Sequence, residues 1–438
     1  MNYHSTRDRL ARTSLSAALA AGLAPDGGLY VPESLPHLQP EEFADAKDLP
    51  QVAARLLAPF FAHDPLADAL AAVCDEALDL PAPLVPLAGR RSFVLQLFHG
   101  PTAAFKDFGA RFLAACMARL PDATQATRTV LVATSGDTGA AVAAAFHRRP
   151  GFRVVILYPD GKVSPRQAHQ LGCFGDNVQA LRVDGRFDDC QRLVKQALAD
   201  RELAARMHLT SANSISLGRL LPQMSYYALA ALQHGRASGR KLGFVVPTGN
   251  LGNALACLLA RDCGLPVGPI VLANNNNRVL ADFFAGNDYA PRNSVATLAN
   301  AMDVGTPSNF ERLRWWYPDA EHLRRQLRAD WVDAGDIRDT ITRWQRDHDV
   351  VLCPHTACAA RVLERRRTAG DNAEYAIVAT AHPAKFDSVV EPLIGQPVPV
   401  PPALQALLDR PAHAEPMAAD YDAFRRALRA AGSVAGAP

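Results

Sequence analysis

Only six of the 46 basic residues are lysines, and one of them, Lys106, sits in His99-Gly100-Pro101-Thr102-Ala103-Ala104-Phe105-Lys106-Asp107-Phe108-Gly109. The chain meets its ordinary need for positive charge with arginine. A lysine kept in an apolar, glycine-containing segment is therefore a candidate for amine chemistry, since arginine neither forms an imine nor gives up its proton at useful pH. Phe105, Phe108 and Phe112 place Lys106 near the start of an aromatic-faced helix. A helix N-terminus and apolar neighbours both disfavour an ammonium, which suits a Schiff-base lysine. The competing reading is a surface Lys106–Asp107 ion pair, and composition alone leaves the two level.

Two further segments have the grammar of an anion cradle, a buried strand running through a glycine-bearing loop into a helix. In Val245-Val246-Pro247-Thr248-Gly249-Asn250-Leu251-Gly252-Asn253-Ala254 the glycines let consecutive N–H groups reach a phosphate, and the helix N-terminus adds partial positive charge. The segment has neither the Gly-Lys-Ser/Thr of a nucleotide P-loop nor the GxGxxG of a dinucleotide fold. In Val132-Ala133-Thr134-Ser135-Gly136-Asp137-Thr138-Gly139-Ala140, Ser135, Thr138 and the backbone suit a carboxylate or a phosphate, whereas Asp137 repels one. The plainer reading of this second loop is an N-cap cluster with Asp137 or Thr138 as the cap. Two anion sites and a primed lysine together suggest pyridoxal phosphate with a phosphorylated or carboxylate substrate.

These loops need a scaffold of buried strands. Phe93–Leu97, Thr129–Ala133, Arg153–Leu157, Gly243–Val246, Pro269–Leu272 and Ala376–Thr380 read as short apolar strands. Helical stretches alternate with them at Ala104–Leu120, Ala140–Arg148 and about Ala254 to Arg261, so the pattern predicts an α/β protein with parallel sheets. Residues before about 85 read as a mostly helical unit with a turn-rich patch from Pro25 to Pro32, and the tail after Pro397 ends in a helix from Tyr421 to Ala430. The chain has 438 residues, 49% of them hydrophobic, and a net charge of +2, which gives no electrostatic case for nucleic acid or an anionic membrane. No apolar stretch reaches the ~20 residues of a membrane span, and no signal peptide is read. The eight cysteines are scattered without a CxxC, so free thiols in a reducing cytoplasm and no metal are expected.

Taken together, HGPTAAFKDFG, ATSGDTGAAVAAAF, SANSIS with Arg219, PTGNLGN, NAMDVGTPSNFERL and TAHPAKF resemble, in order and spacing, the threonine synthase family. The resemblance is to its longer bacterial and fungal type and covers nearly the whole chain. It implies the tryptophan-synthase-β-like (fold type II) architecture of pyridoxal-phosphate enzymes, with parallel sheets in two domains plus a helical N-terminal unit. The expected units are residues 1–88, a large cofactor domain of 89–125 and 211–398, a small substrate-side domain of 126–210, and a tail of 399–438. By resemblance, Lys106 carries pyridoxal 5'-phosphate, Gly249, Asn250, Leu251, Gly252 and Asn253 cup its phosphate, and Thr380 faces its ring nitrogen. Asp137 stands where related enzymes turn Asn towards the cofactor's 3′-oxygen, and Asn253 where many relatives have Asp. Ser135 and Thr138 would hold the substrate, O-phospho-L-homoserine, and Asn213, Ser214 and Arg219 its phosphate. His382 and Lys385 match TAHPAKF without an assigned step. A serine/threonine dehydratase or cysteine synthase needs no second phosphate site, and a silent phosphate-binding relative would not need the lysine.

Overall fold

The computed structural model describes residues 1–87, 91–120 and 126–433. Strands β1 (Tyr3–Ser5) and β2 (Tyr30–Pro32) pair antiparallel, and helices Leu15–Ala21, Leu49–Phe61 and Leu70–Leu78 complete the leading unit. The chain enters a first sheet with β3 (Leu84–Pro86) and β4 (Ser92–Gln96). It crosses to a second sheet with β5 (Arg128–Ala133), β6 (Phe152–Pro159), β7 (Val178–Asp184) and β8 (Leu209–Ser211). It then returns to the first with β9 (Leu242–Pro247), β10 (Val267–Asn274), β11 (Leu327–Trp331) and β12 (Tyr375–Ala379), and sends β13 (Glu415–Ala418) back to the second. The orders are β11-β10-β9-β12-β4-β3 and β13-β7-β6-β5-β8. Every pairing in the two sheets is parallel except that of β3 with β4.

Strands β5, β6, β9 and β12 are buried along their whole length. Helices cover both faces of a parallel sheet, so these strands read as continuous apolar runs rather than as alternation. The expected strands and helices around them all form, within a few residues of their expected ends. Strands β1, β2, β3, β7, β8, β11 and β13 are additions to that reading. Strand β7 (Val178-Gln179-Ala180-Leu181-Arg182-Val183-Asp184) carries two exposed polar residues, and β13 (Glu415-Pro416-Met417-Ala418) buries only Met417, so neither offers an apolar run to read. The tail thus extends the second sheet through β13 before the helix Tyr421–Ser433. The expected boundaries at residues 88/89 and 125/126 fall on or beside residues 88–90 and 121–125, outside the described residues.

A buried cation helps tie the leading unit to the large sheet's loops. Arg312 is 1% exposed and donates to Tyr30 O at 2.9 Å, Asn309 Oδ1 at 2.8 Å and Ile215 O at 2.6 Å. It therefore ties β2 to the two loops, 213–216 and 308–309, that flank the site described below. Replacing Arg312 with Leu leaves three acceptors without this donor, at roughly 1–3 kcal/mol for each that stays dry. Urea denaturation of Arg312→Leu should show a loss of about 3 kcal/mol or more; a midpoint equal to that of the unchanged protein would sink this account.

Candidate active site

Lys106 is placed by a pairing between two distant segments. Ala104 and Ala381 form an isolated antiparallel bridge, Phe105 N donates to Thr380 O at 2.8 Å, and His382 N donates to Ala103 O at 3.0 Å. Ala103 takes a left-handed conformation, φ +54°, to make the bend that opens the helix Lys106–Met117. Asp107 does not pair with Lys106 at the surface. It is buried and turns back to accept from Thr102 N at 2.9 Å and Thr102 Oγ1 at 2.7 Å. Gly100 is needed here, because a Cβ would lie 2.4 Å from Asp107 Oδ2. The surface-pair reading is thus overturned: the carboxylate closes its own loop, and the Lys106 amine points to Thr138 Oγ1, 2.8 Å away.

The Thr134–Gly139 loop follows β5. Neither Asp137 nor Thr138 caps its helix; Thr134 Oγ1 does, accepting from Gly136 N and Gly139 N, both at 3.0 Å. Gly136 has φ +137°, and a Cβ there would meet the Gln167 amide at 2.6 Å. Asp137 is thereby freed for another task. Its Oδ1 accepts from Lys385 Nζ at 2.8 Å and from Gln167 Nε2 at 3.0 Å.

The Thr248–Asn253 loop follows β9. Leu251 is left-handed, φ +65°, and opens the helix Gly252–Asp262. Gly249 lies so close to the 300–302 turn that a Cβ would stand 2.7 Å from Met302 Cα. Asn250 is held on both sides, donating to Ser214 Oγ at 2.7 Å and accepting from Ser308 N at 2.5 Å. Asn253 Oδ1 faces the hydroxyls of Tyr226 and Tyr227 at 2.6 and 2.9 Å, and its buried Nδ2 has no partner.

These segments surround two adjoining cavities that share Lys106, Ser214, Asn250 and Ala301. The inner one is walled by Lys106, Asp137, Ser214, Arg219, Thr380 and the whole run from Gly249 to Asn253. The outer one, about 280 Å³, is walled by Ser135, Thr138 and Asn213 among others. Every residue to which the sequence assigned cofactor or substrate contact therefore lines one cavity or the other, whereas His382 and Lys385 line neither. Arg219 belongs to the inner one, which the Gly249–Asn253 loop also lines. It is 2% exposed, donates through Nη1 to Ala212 O at 2.8 Å, has a buried Nε without a partner, and forms no ion pair among the described residues. A buried guanidinium without a counter-ion, an unpartnered amide N–H and a loop opening a helix are a donor set for phosphate. The residues present fit a phosphorylated cofactor with an amine at its reach.

Burial pushes the Lys106 amine down to about 8, helped by the Arg219 guanidinium and opposed by Asp137. Burial alone would raise Asp137, but Lys385 and His355 bring it down to about 2. His355, Gln223, Ala301 and Met302 also line the inner cavity and were assigned no role in the sequence. His355 Nε2 accepts from Ala301 N at 3.1 Å, and burial pushes the ring down to about 4. Nothing in Cys353-Pro354-His355-Thr356 signals this, because the partner is a backbone amide from a distant turn. Ala301 and Met302 did lie in a quoted motif, NAMDVGTPSNFERL, without an assigned role. His382 lines neither cavity; it caps the turn Pro383–Phe386, accepting from Ala384 N at 3.2 Å.

A family model described as "Pyridoxal-phosphate dependent enzyme" matches residues 78–383. Fold and site together define a pyridoxal-phosphate enzyme of fold type II. Models described as "Threonine synthase N terminus" and "Threonine synthase, C-terminal" match residues 2–78 and 356–428. A curated threonine synthase from Serratia marcescens is 37% identical over 430 residues, covering 98% of this chain and 99% of its own. The crystal structure of threonine synthase from Escherichia coli superposes with a TM-score of 0.90 at 36% identity, over 98% of this chain and 100% of that one. A pyridoxal-phosphate-bound threonine synthase from Brucella melitensis gives 0.89 at 34% identity, over 98% and 99%. The chain belongs to the threonine synthase family.

His355 makes stability depend on acid. Its folded pKa lies below its unfolded value of ~6.5, so between about 6.5 and 4 the unfolded chain binds the extra proton, and stability falls as pH drops through that window. At pH 4.5 the loss is roughly 2–3 kcal/mol. Urea midpoints at pH 7 and 4.5 should fall further for the unchanged protein than for His355→Asn, which cannot take the proton; equal falls would contradict the assignment.

Proposed function

We propose that this chain converts O-phospho-L-homoserine and water to L-threonine and phosphate, the last step of threonine biosynthesis, with Lys106 carrying pyridoxal phosphate. The observation that supports it most is the company of Lys106. One cavity holds its amine, a phosphate loop, and an Arg219 guanidinium that pairs with no carboxylate among the described residues. A dehydratase of the same fold has no use for that second phosphate-seeking cation. A silent binding relative has no use for the amine.

Pyridoxal phosphate supplies, when bound, a ring that draws electrons from the substrate's Cα. Gly249 to Asn253 would hold its phosphate, and the Thr380 hydroxyl would meet its ring nitrogen without a formal charge. Ser135 and Thr138 would hold the substrate through its carboxylate, and Asn213, Ser214 and Arg219 would hold its phosphate. With its pKa brought down to about 8, Lys106 has a neutral fraction at physiological pH, so Nζ can take the Cα proton; only after handing that proton on is it free to take one from Cβ, which it can then deliver to Cγ. As phosphate leaves Cγ, the Arg219 guanidinium and the Ser214 hydroxyl meet a growing negative charge, which favours departure as well as binding. A proton at Cγ then makes the methyl group, and water adds at Cβ. The same reading takes a small molecule as partner rather than nucleic acid and places the protein in the cytoplasm. No helix among the described residues is long and apolar enough to cross a membrane, and all eight cysteines are buried and free.

Purified protein should be yellow, and borohydride should fix the cofactor to Lys106. Lys106→Ala should lose both the fixed link and turnover; a link that persists elsewhere would remove Lys106 from its role. Arg219→Ala should lower kcat/KM for phosphohomoserine by one to two orders of magnitude, the equivalent of ~1.5–3 kcal/mol for a lost charge-assisted contact. Cofactor affinity should fall far less. Since Arg219 shares its cavity with the phosphate loop, this comparison decides which phosphate it serves; equal losses would assign it to the cofactor.

A further inference from the structure

Besides the Thr138 hydroxyl that Lys106 reaches, the Thr134–Gly139 loop brings a carboxylate, Asp137, near the amine, and the structure gives that carboxylate a buried partner of its own. Lys385 is 0% exposed and lies behind Asp137, outside both cavities. Its Nζ donates to Asp137 Oδ1 at 2.8 Å and to Thr102 O at 2.7 Å. Thr102 is in turn bound by Asp107, the neighbour of Lys106. On the other side Gln167 Oε1 accepts from Asn300 Nδ2 at 2.9 Å and Ser164 N at 3.0 Å, so the Gln167 amide nitrogen must face Asp137. Two donors therefore hold Oδ1, while Oδ2 has no hydrogen-bond partner among the described residues and Asp137 walls the inner cavity.

We propose that Lys385 is a positioning residue acting through Asp137: it holds the carboxylate ionised and aimed, so that Asp137 serves as counter-charge to the nitrogen carried by Lys106. The groups facing that nitrogen are few. Arg219 and Lys385 are cations, Asp137 is the anion, and Thr138 offers a hydroxyl. His355 is neutral, since its Nε2 accepts a backbone N–H, and Asp107 is turned away to Thr102. Two cations alone would strip the proton from the nitrogen, and a substrate amine attacks a lysine–cofactor link readily only when that nitrogen is protonated. A lone buried carboxylate would restore the proton but would carry an uncompensated charge beside two bound phosphates. The pair supplies the negative end near Lys106 and cancels its charge on the far side. The inference rests on Lys106 carrying the cofactor and not on the identity of the substrate.

The test is the absorption spectrum of the holoenzyme titrated with pH, which reads loss of the proton from the link nitrogen, on variants shown to be folded by their thermal midpoints. Asp137→Asn removes the counter-charge and leaves the Lys385 ammonium uncompensated, so the transition should move down by about one pH unit or more. Asp137→Asn/Lys385→Met replaces the pair by neutral groups, the substitution a buried ion pair tolerates best. Its transition should lie between those of Asp137→Asn and the unchanged enzyme, and below the latter even if the single variant does not fold. A double variant that titrates with the unchanged enzyme, or one that titrates with Asp137→Asn, would overturn the proposal. Borohydride fixation at Lys106 accompanies each titration; a link found on another lysine would remove the basis of both this inference and the Lys106 assignment.

Discussion

Four ionisable side chains, Lys106, Asp137, Arg219 and Lys385, share one water-poor region, and they bring two more positive charges than negative ones. Charges of that kind are costly to bury unless each is hydrogen-bonded or paired. Asp137 and Lys385 meet this demand mutually. Arg219 meets it only in part, through one carbonyl, and Lys106 meets it by an amine that gives up its proton more easily. The remaining positive charge has no protein partner among the described residues. An imbalance of this kind favours anionic ligands and a lysine held neutral, which are the two things the proposed reaction asks of this cavity.

That imbalance can exist only because the backbone brings its members together at close range. The bridge between Ala104 and Ala381 sets Lys106 against Thr380, and Gly249, Gly100 and Gly136 stand where a Cβ would strike a neighbour within 2.7 Å. These glycines mark close approaches as much as turns. Tyr226 and Tyr227 hold the Gly249–Asn253 loop through Asn253, whose carbonyl end meets their hydroxyls and whose amide end has no partner among the described residues. The neutral amide keeps the tyrosine contacts that an aspartate would also make, and it carries a buried donor where an aspartate would carry a charge.

The elements and the cradles were legible in the sequence because their determinants are local. A fully apolar strand next to a glycine-bearing loop shows within about ten residues, and so does a lysine among phenylalanines. Six motifs in register then identified the family. The weak strands β7 and β13 were not legible, since one alternates with charges and the other is four residues long with a single buried side chain.

What tertiary structure alone decided is which polar groups meet. Lys385, His355, Gln167 and Arg312 each look in the sequence like an ordinary residue of a turn or helix, and each does its work on a partner far away in the chain. The cap of the second cradle likewise fell to Thr134 rather than to Asp137 or Thr138, which freed the aspartate for Lys385. Propensity and spacing act over a few residues and so are written in the chain. The pairing of buried charges depends on sheet order, with β4 laid beside β12 and β9 beside β10, and that order is settled only when the whole core closes.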